Sequence, residues 1–214
     1  MDIGKKSIFS KIGGIPQVPT GFKWPDDKNN REIPFFMQLD FKQINRAGKL
    51  TYFPNKGLLY IFIDENEINS NFPLVQGEHY QVLFFDADTN DMHTEKSNVK
   101  TYREIYLKTK DIKMYPNSEE DDDLLDYLDE LDDDVQDKYF DKYHFVESEV
   151  GFVGGWPQIL QSNYLERDET QLIQLNSIED EFMWGDLGML QFYIKIDDLK
   201  KSNFNNVNVN LETT

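Results

Sequence analysis

Two stretches of this sequence carry the same string of residues, and they decide the fold that we expect. Residues 13–18 read Gly-Gly-Ile-Pro-Gln-Val, and residues 154–159 read Gly-Gly-Trp-Pro-Gln-Ile, at an offset of 141 residues. Self-similarity of this kind is typical of chains that contain repeated structural units. If the chain has two related units, further matches should follow in the same order.

Two further matches do follow in order. Residues 36–40 (Phe-Met-Gln-Leu-Asp) correspond to residues 172–176 (Leu-Ile-Gln-Leu-Asn) at an offset of 136, and each run places a glutamine among apolar residues. Residues 57–63 (Gly-Leu-Leu-Tyr-Ile-Phe-Ile) correspond to residues 188–194 (Gly-Met-Leu-Gln-Phe-Tyr-Ile) at an offset of 131. We therefore predict an internal duplication, with units at about residues 12–68 and 153–201.

The apolar runs of both units are typical of β-strands. In the second unit, Leu190, Phe192 and Ile194 alternate with polar or aromatic neighbours, which predicts a strand with one buried face. Residues 80–85 and about 101–107 are further strand candidates, and the tail at 207–211 alternates Val and Leu with Asn, as in an edge strand. We predict an α+β fold of mostly antiparallel sheets, in which two related units pack around one core to form a single compact domain over residues 1–214.

The composition excludes several classes of protein. The chain has no cysteine, which rules out disulfides, thiolate metal sites and a cysteine nucleophile. A net charge of −18 repels phosphate backbones and anionic lipid, so we expect neither nucleic acid nor membrane as a partner. The N-terminal residues lack the apolar core of a signal peptide, and no apolar run is long enough to cross a bilayer. These observations predict a cytoplasmic protein.

Much of the negative charge lies in one segment. Residues 119–134 read EEDDDLLDYLDELDDD and hold eleven carboxylates and no base. Leu124, Leu128, Leu131 and Val135 recur at helical spacing, so we predict one amphipathic acidic helix within residues 118–136. The trailing acids are unfavourable near the negative end of the helix dipole, and we expect the last turn to fray.

Two interpretations of the acidic segment remain open. It is a solvated surface helix whose leucines dock on the body of the protein, or it is a docking site for a basic protein partner. A calcium loop of the EF-hand type is disfavoured because the segment has no glycine for the turn. The partner-binding candidates are Asp121, Asp122, Asp123, Asp126, Asp129 and Glu130.

The motifs in combination resemble those of the YwqG-like family of bacterial proteins, over about residues 10–205. They are Gly13-Gly14-x-Pro16, Trp24-Pro25, residues 36–40, residues 57–62, Gly154-Gly155-x-Pro157, residues 172–175 and Trp184-Gly185-Asp186-x-Gly188. The resemblance implies an α+β fold and a bacterial cytoplasmic setting rather than an activity. Some relatives are associated with loci for toxins and their immunity proteins, which makes a protein-binding role plausible.

No signature of catalysis or of a cofactor is present. His79, His93 and His144 lack metal-ligand spacing, and the sequence contains no Gly-x-Ser-x-Gly turn and no phosphate loop. Trp24 and Trp156, each before a proline, are interpreted as core residues. We therefore assign no catalytic residue, no metal ligand and no cofactor.

The repeated polar residues inside apolar strands are the remaining site candidates. A buried side-chain amide must find hydrogen-bond partners. Each glutamine either ties its strand to the glycine-proline turn of its own half, or both halves meet and line a polar pocket. The pocket candidates are Gln38, Asp40, Gln174, Asn176, Trp184 and Asp186.

Two functions follow from these features. The first is a non-enzymatic binding protein, of an immunity or adaptor type, that takes a basic protein partner. The alternative is a small-ligand binder or a carboxylate-based hydrolase with a polar site at the junction of the two repeats. Asp186 with Asp40 or Asp64 would be the acid/base pair of the hydrolase.

Overall fold

The computed structural model describes residues 10–46, 48–86, 92–116, 122–140, 150–161 and 165–213. Its residues form two compact units, one of residues 1–110 with 194–209 and the other of residues 111–193 with 210–214. The predicted α+β class with mostly antiparallel sheets is confirmed. The arrangement around a single core and the internal duplication stay predictions.

The described strands form three sheets. Their bounds are β1 Lys11–Ile12, β2 Gln17–Pro19, β3 Phe35–Asp40, β4 Leu58–Ile63, β5 Tyr80–Phe85, β6 Met92–Thr94, β7 Ile105–Tyr106, β8 Gly151–Val153, β9 Glu169–Asn176, β10 Met189–Lys195 and β11 Val207–Glu212. The sheet orders are β5-β4-β3-β1-β7, β11-β10-β9-β8 and β2-β6. The helices are α1 Phe41–Ile44, α2 Glu65–Ser70, α3 Asp122–Asp129, α4 Asp133–Phe140 and α5 Ile196–Lys200.

Strands β3 and β4 form the centre of the first unit. Both are apolar runs with little alternation, and every residue of β4 is buried, as expected of a strand that is covered on both faces. They pair antiparallel, with Gln38 opposite Tyr60 and Leu39 opposite Leu59. A core cluster that includes Phe35, Tyr60 and Phe62 packs on one face of this pair. Burial of these aromatic side chains stabilises the unit.

The glycine-proline turn of the first unit requires its glycine. Gly13 has φ +60°, in the left-handed region, and a Cβ there would lie 2.3 Å from Arg103 O and 2.5 Å from Tyr102 O. Its amide donates to Phe36 O at 2.7 Å, which joins the turn to β3. Any side chain would therefore strain the backbone and push the turn off its neighbours.

Strand β10 corrects one prediction. Residues 189–194 are all buried, so both faces of the strand are covered, where alternation predicted a single buried face. The two buried polar side chains of the strand bond to each other: Tyr193 Oη donates to Gln191 Oε1 at 2.6 Å. The strand expected at about residues 101–107 is also shorter, because only Ile105–Tyr106 pairs, with β1.

The tail forms the expected edge strand β11, but the face that is buried changes from apolar to polar residues along the strand. Val207 is buried, whereas further along Asn210 and Glu212 are buried and Val209 and Leu211 are half-buried. The carboxylate of Glu212 accepts hydrogen bonds from Leu160 N at 3.0 Å and Gln161 N at 2.8 Å. These bonds offset the cost of burying the acid, so polar residues face inward here.

The single helix predicted within residues 118–136 is wrong. The chain forms α3 and α4, which are interrupted at residues 130–132, and residues 117–121 lie outside the described part. Asp132 O accepts from Val135 N at 2.7 Å and from Gln136 N at 3.2 Å, which starts α4. Carboxylates are unfavourable at the negative end of a helix and favourable at its positive end. Asp132–Asp134, which were expected to destabilise the last turn of one helix, therefore lie at the start of a second helix.

The leucine stripe docks only in part. Leu128 is 3% exposed, whereas Val135 is 44% exposed. Trp156, interpreted as a core residue, is 43% exposed, so that prediction is wrong, while Trp24 is half-buried against the core of the first unit. Among the described helices, none combines the length and apolar character needed to cross a membrane.

Candidate functional site

Gln38 holds the turn that follows the paired glycines. Its side chain is fully buried in β3, and its Oε1 accepts a hydrogen bond from Gln17 N at 2.9 Å. Tyr60 Oη, from β4, donates to Gln17 O at 2.6 Å, and burial raises the pKa of the Tyr60 hydroxyl. Both backbone polar groups of Gln17 are thus satisfied by side chains of the central strands. We call Gln17, Gln38 and Tyr60 the first clamp.

The second unit contains the same arrangement. Gln174 Oε1 accepts from Gln158 N at 3.0 Å, and Gln191 Nε2 donates to Gln158 O. We call Gln158, Gln174 and Gln191 the second clamp. Its residues follow those of the first clamp at offsets of 141, 136 and 131, which are the offsets of the three motif pairs. The corresponding strand pairs also match, since Lys11 lies opposite Gln38 and Phe152 lies opposite Gln174.

The predicted pocket residues have separate local roles in the two units. Gln174 Nε2 donates to Gln158 Oε1 at 3.0 Å and to Asn176 Oδ1 at 3.1 Å, so Gln174 and Asn176 do contact each other. Asp40 caps α1 by accepting from Lys42 N at 2.9 Å, and partial burial raises the pKa of its carboxyl group. A ligand role for these residues stays a prediction.

Trp184 and Asp186 lie on the turn before β10. Trp184 is fully buried and packs on Phe182, with ring centroids 5.4 Å apart. Asp186 is exposed, and Gly188 N closes the turn by donating to Trp184 O at 2.8 Å. The indole is therefore a core side chain, and a ligand role for Trp184 and Asp186 stays a prediction.

The partner-binding candidates are described only in part. Asp121 lies outside the described residues, and Asp122 and Asp123 fall in α3 without described side chains. Asp126, Asp129 and Glu130 are exposed.

A cavity of about 300 Å³ lies in the first unit, at residues that the sequence did not single out. Residues 14–16 form one wall, residues 95–97 with 100–101 form the other, and Trp24 and Phe35 complete the lining. The walls are joined because Glu95 N donates to Pro16 O at 3.3 Å, next to the pairing of β2 with β6.

Glu32 fixes the second wall. Its Oε2 accepts from Ser97 Oγ at 2.7 Å and from Asn98 N at 3.1 Å. Lys100 Nζ lies 3.1 Å from Glu65 Oε2 and 4.7 Å from the Tyr102 ring centroid. A weak sequence signal existed here, since a lysine precedes a hydroxyl residue twice, at 96–97 and at 100–101.

The described histidines have different surroundings. His79 is buried and its Nδ1 accepts from Val75 N at 3.0 Å, while His93 Nε2 lies 3.3 Å from Glu95 Oε2. His144 lies outside the described residues. In the ranges that the structure covers, no group of three or more His, Asp or Glu side chains could hold a metal ion.

Comparison with known families gives one match. The family described as Domain of unknown function (DUF1963) matches residues 10–212, which is nearly the whole chain. This agrees with the expectation of a family without an assigned activity, while the YwqG-like name stays a prediction. No curated protein matches the chain.

Proposed function

The chain belongs to the family Domain of unknown function (DUF1963), and from that starting point we propose that it is a non-enzymatic binding protein that takes a basic protein partner on α3 and α4. We call residues 122–140 the acidic helix pair. The observation that carries this proposal is made on the described residues of these two helices, where exposed carboxylates without an ion-pair partner lie beside exposed apolar side chains.

The described carboxylates of the acidic helix pair are accessible to a partner. Seven of them are exposed, and within the described ranges none forms an ion pair with a lysine or arginine. They are Asp126, Asp129, Glu130, Asp132, Asp133, Asp134 and Asp137. A dense field of one sign accelerates association with an oppositely charged surface and is screened by salt.

Apolar side chains accompany these acids. Leu125, Tyr127, Val135 and Phe140 are between 37% and 59% exposed. Charge alone gives little affinity at an exposed surface, whereas apolar contacts at the same place supply it. The combination suits a partner segment in which lysine or arginine alternates with apolar residues, such as a basic amphipathic helix. A basic toxin held by an immunity-type protein would be one such partner.

The alternative at the junction of the repeats has less support. Gln38 and Gln174 each use Oε1 for a backbone amide of their own half, as expected if they tie strands to turns. Asp40 is a helix cap. These groups already have structural partners, so a ligand would have to displace existing hydrogen bonds.

The test uses a synthetic basic amphipathic peptide of Lys and Leu, with binding measured by calorimetry at low and moderate salt. We expect the variant with Asp126→Asn, Asp129→Asn and Glu130→Gln to bind about tenfold more weakly at low salt, because it loses three of the charges that attract the peptide.

The matched control carries Asp26→Asn, Glu179→Gln and Asp197→Asn, which changes the net charge equally at exposed positions outside the acidic helix pair. It should bind within about twofold of the parent chain. Equal weakening in the two variants would mean that only the overall charge attracts the peptide, and would contradict a site on the acidic helix pair.

A further inference from the structure

We propose that the cavity of the first unit is a binding site for a small monoanion that carries a flat apolar group. The anionic group would pair with Lys96, and the apolar group would lie against Trp24 and Phe35. This site is independent of the acidic helix pair.

The size of the cavity sets the class of ligand. Its volume of about 300 Å³ is at the lower end of the range for small-molecule sites. A single ring with a short acidic side chain matches that volume, whereas a dinucleotide or a folded peptide does not.

One side of the cavity is apolar and held in place. Trp24 Nε1 donates to Ile33 O at 2.8 Å, and its ring lies edge-on to Phe62 with centroids 5.3 Å apart. Because the indole N–H is already bonded, the ring offers mainly carbon surface to the cavity. Flat apolar groups pack well on such a surface.

The walls are preformed. The first clamp fixes the backbone of Gln17 beside Pro16, and Glu32 fixes Ser97 and the following amide. A site whose walls are already ordered costs a ligand less conformational entropy than a site that must form on binding. Gln38 would thus be a positioning residue for this site and would not touch the ligand.

The charges around the cavity select the sign of the ligand. The ammonium of Lys100 is paired with Glu65, and the carboxylate of Glu95 lies 3.3 Å from His93 Nε2, a contact that neutralises its charge only when the imidazole is protonated. Lys96 is exposed and has no hydrogen bond or ion pair with any described residue. Of the two lysines that line the cavity, Lys96 is therefore the one without an ion-pair partner among the described residues, in a chain whose net charge of −18 would otherwise repel an anion.

The test compares three probes of nearly equal shape by amide NMR titration of the full chain: phenylacetate, the neutral phenylacetamide and the cationic phenethylamine. We expect phenylacetate to shift the amides of residues 95–97, 100 and 101 and to bind most tightly. Equal binding of the amide and the acid would overturn the anion site. Tighter binding of phenethylamine would show a cation site at Glu95 and would also overturn the proposal, as would the absence of shifts at millimolar phenylacetate.

A pair of lysine variants assigns the anchor. Lys96→Gln should weaken phenylacetate binding about threefold to tenfold, the range for one partly exposed charged contact, without moving the remaining amide spectrum. Lys108→Gln removes an exposed lysine of the same unit away from the cavity and should leave the affinity unchanged. Equal losses in the two variants would contradict Lys96 as the anchor.

Discussion

Gln38 joins two segments that are far apart in the chain, and its contribution is open to direct measurement. In Gln38→Leu, the amide of Gln17 loses its acceptor inside the first unit. We expect the free energy of unfolding, from urea denaturation, to fall by about 1–3 kcal/mol, because a buried donor without a partner costs roughly that amount.

The control is Gln81→Leu in β5 of the same sheet. Gln81 is half-buried, and its side chain donates to the neighbouring carbonyl of Val82. A loss of less than about 0.5 kcal/mol is expected there, because the Gln81 side chain is partly exposed and its hydrogen bond is to the adjacent residue. If both variants lost the same free energy of unfolding, the hydrogen bond from Gln17 N to Gln38 would not contribute more stability than an ordinary side-chain contact.

For individual residues, the sequence predicted which side chains are buried better than it predicted their hydrogen-bond partners. A glutamine within an apolar run predicts a buried amide, and both Gln38 and Gln174 are fully buried. The donor that each meets depends on a turn more than fifteen residues away, which no local pattern specifies. Lys96 was missed for a similar reason, since its value lies in having no hydrogen bond or ion pair with any described residue, and that is a property of the fold.

The acidic helix pair allows a test at the scale of elements. Leu128 is 3% exposed on α3, and Leu125 on the same helix is 37% exposed. We expect Leu128→Ala to lower the free energy of unfolding by about 2–4 kcal/mol, since it leaves a cavity under the helix. Urea denaturation monitored by fluorescence provides the measurement.

Leu125→Ala is the matched comparison, since it makes the same chemical change at an exposed position. It should cost less than about 1 kcal/mol, because Leu125 buries less apolar surface. If Leu128→Ala proved as mild as Leu125→Ala, α3 would not be docked through Leu128.

Elements with long apolar runs were predictable and short ones were not. Residues 80–85 and 58–63 have enough β-branched and aromatic residues to be recognised as strands, and both form strands. Strands β1 and β7 have only two residues each, so their existence depends on pairing with distant partners. The break between α3 and α4 was missed because the hydrophobic repeat continues through it, while the charges on Asp132–Asp134 favour a new helix start.

At the scale of the whole molecule, the net charge of −18 opposes folding through self-repulsion. Raising NaCl from about 10 mM to about 300 mM shortens the screening length severalfold. We expect the melting temperature to rise by several degrees over this range and then to level off.

The dependence of the melting temperature on NaCl concentration distinguishes screening of charges from general salt effects. Screening saturates once the Debye length falls below the spacing of the charges, whereas exclusion of salt from the protein surface continues in proportion to concentration. KCl at equal ionic strength should give the same curve. A linear rise without a plateau would contradict self-repulsion as the cause.

The first unit consists of two separate segments of the chain, and this has a consequence for how the protein is synthesised. Its residues are 1–110 together with 194–209, and the late segment packs inside it, since Phe84 and Phe204 have ring centroids 4.8 Å apart and Tyr80 Oη donates to Val207 O at 2.6 Å. A ribosome that adds about 5–20 residues per second needs roughly 4–17 s to travel from residue 110 to residue 194. During that interval the nascent chain exposes the aromatic surface that Phe204 will later cover, and the first unit cannot be completed until residue 209 has been added.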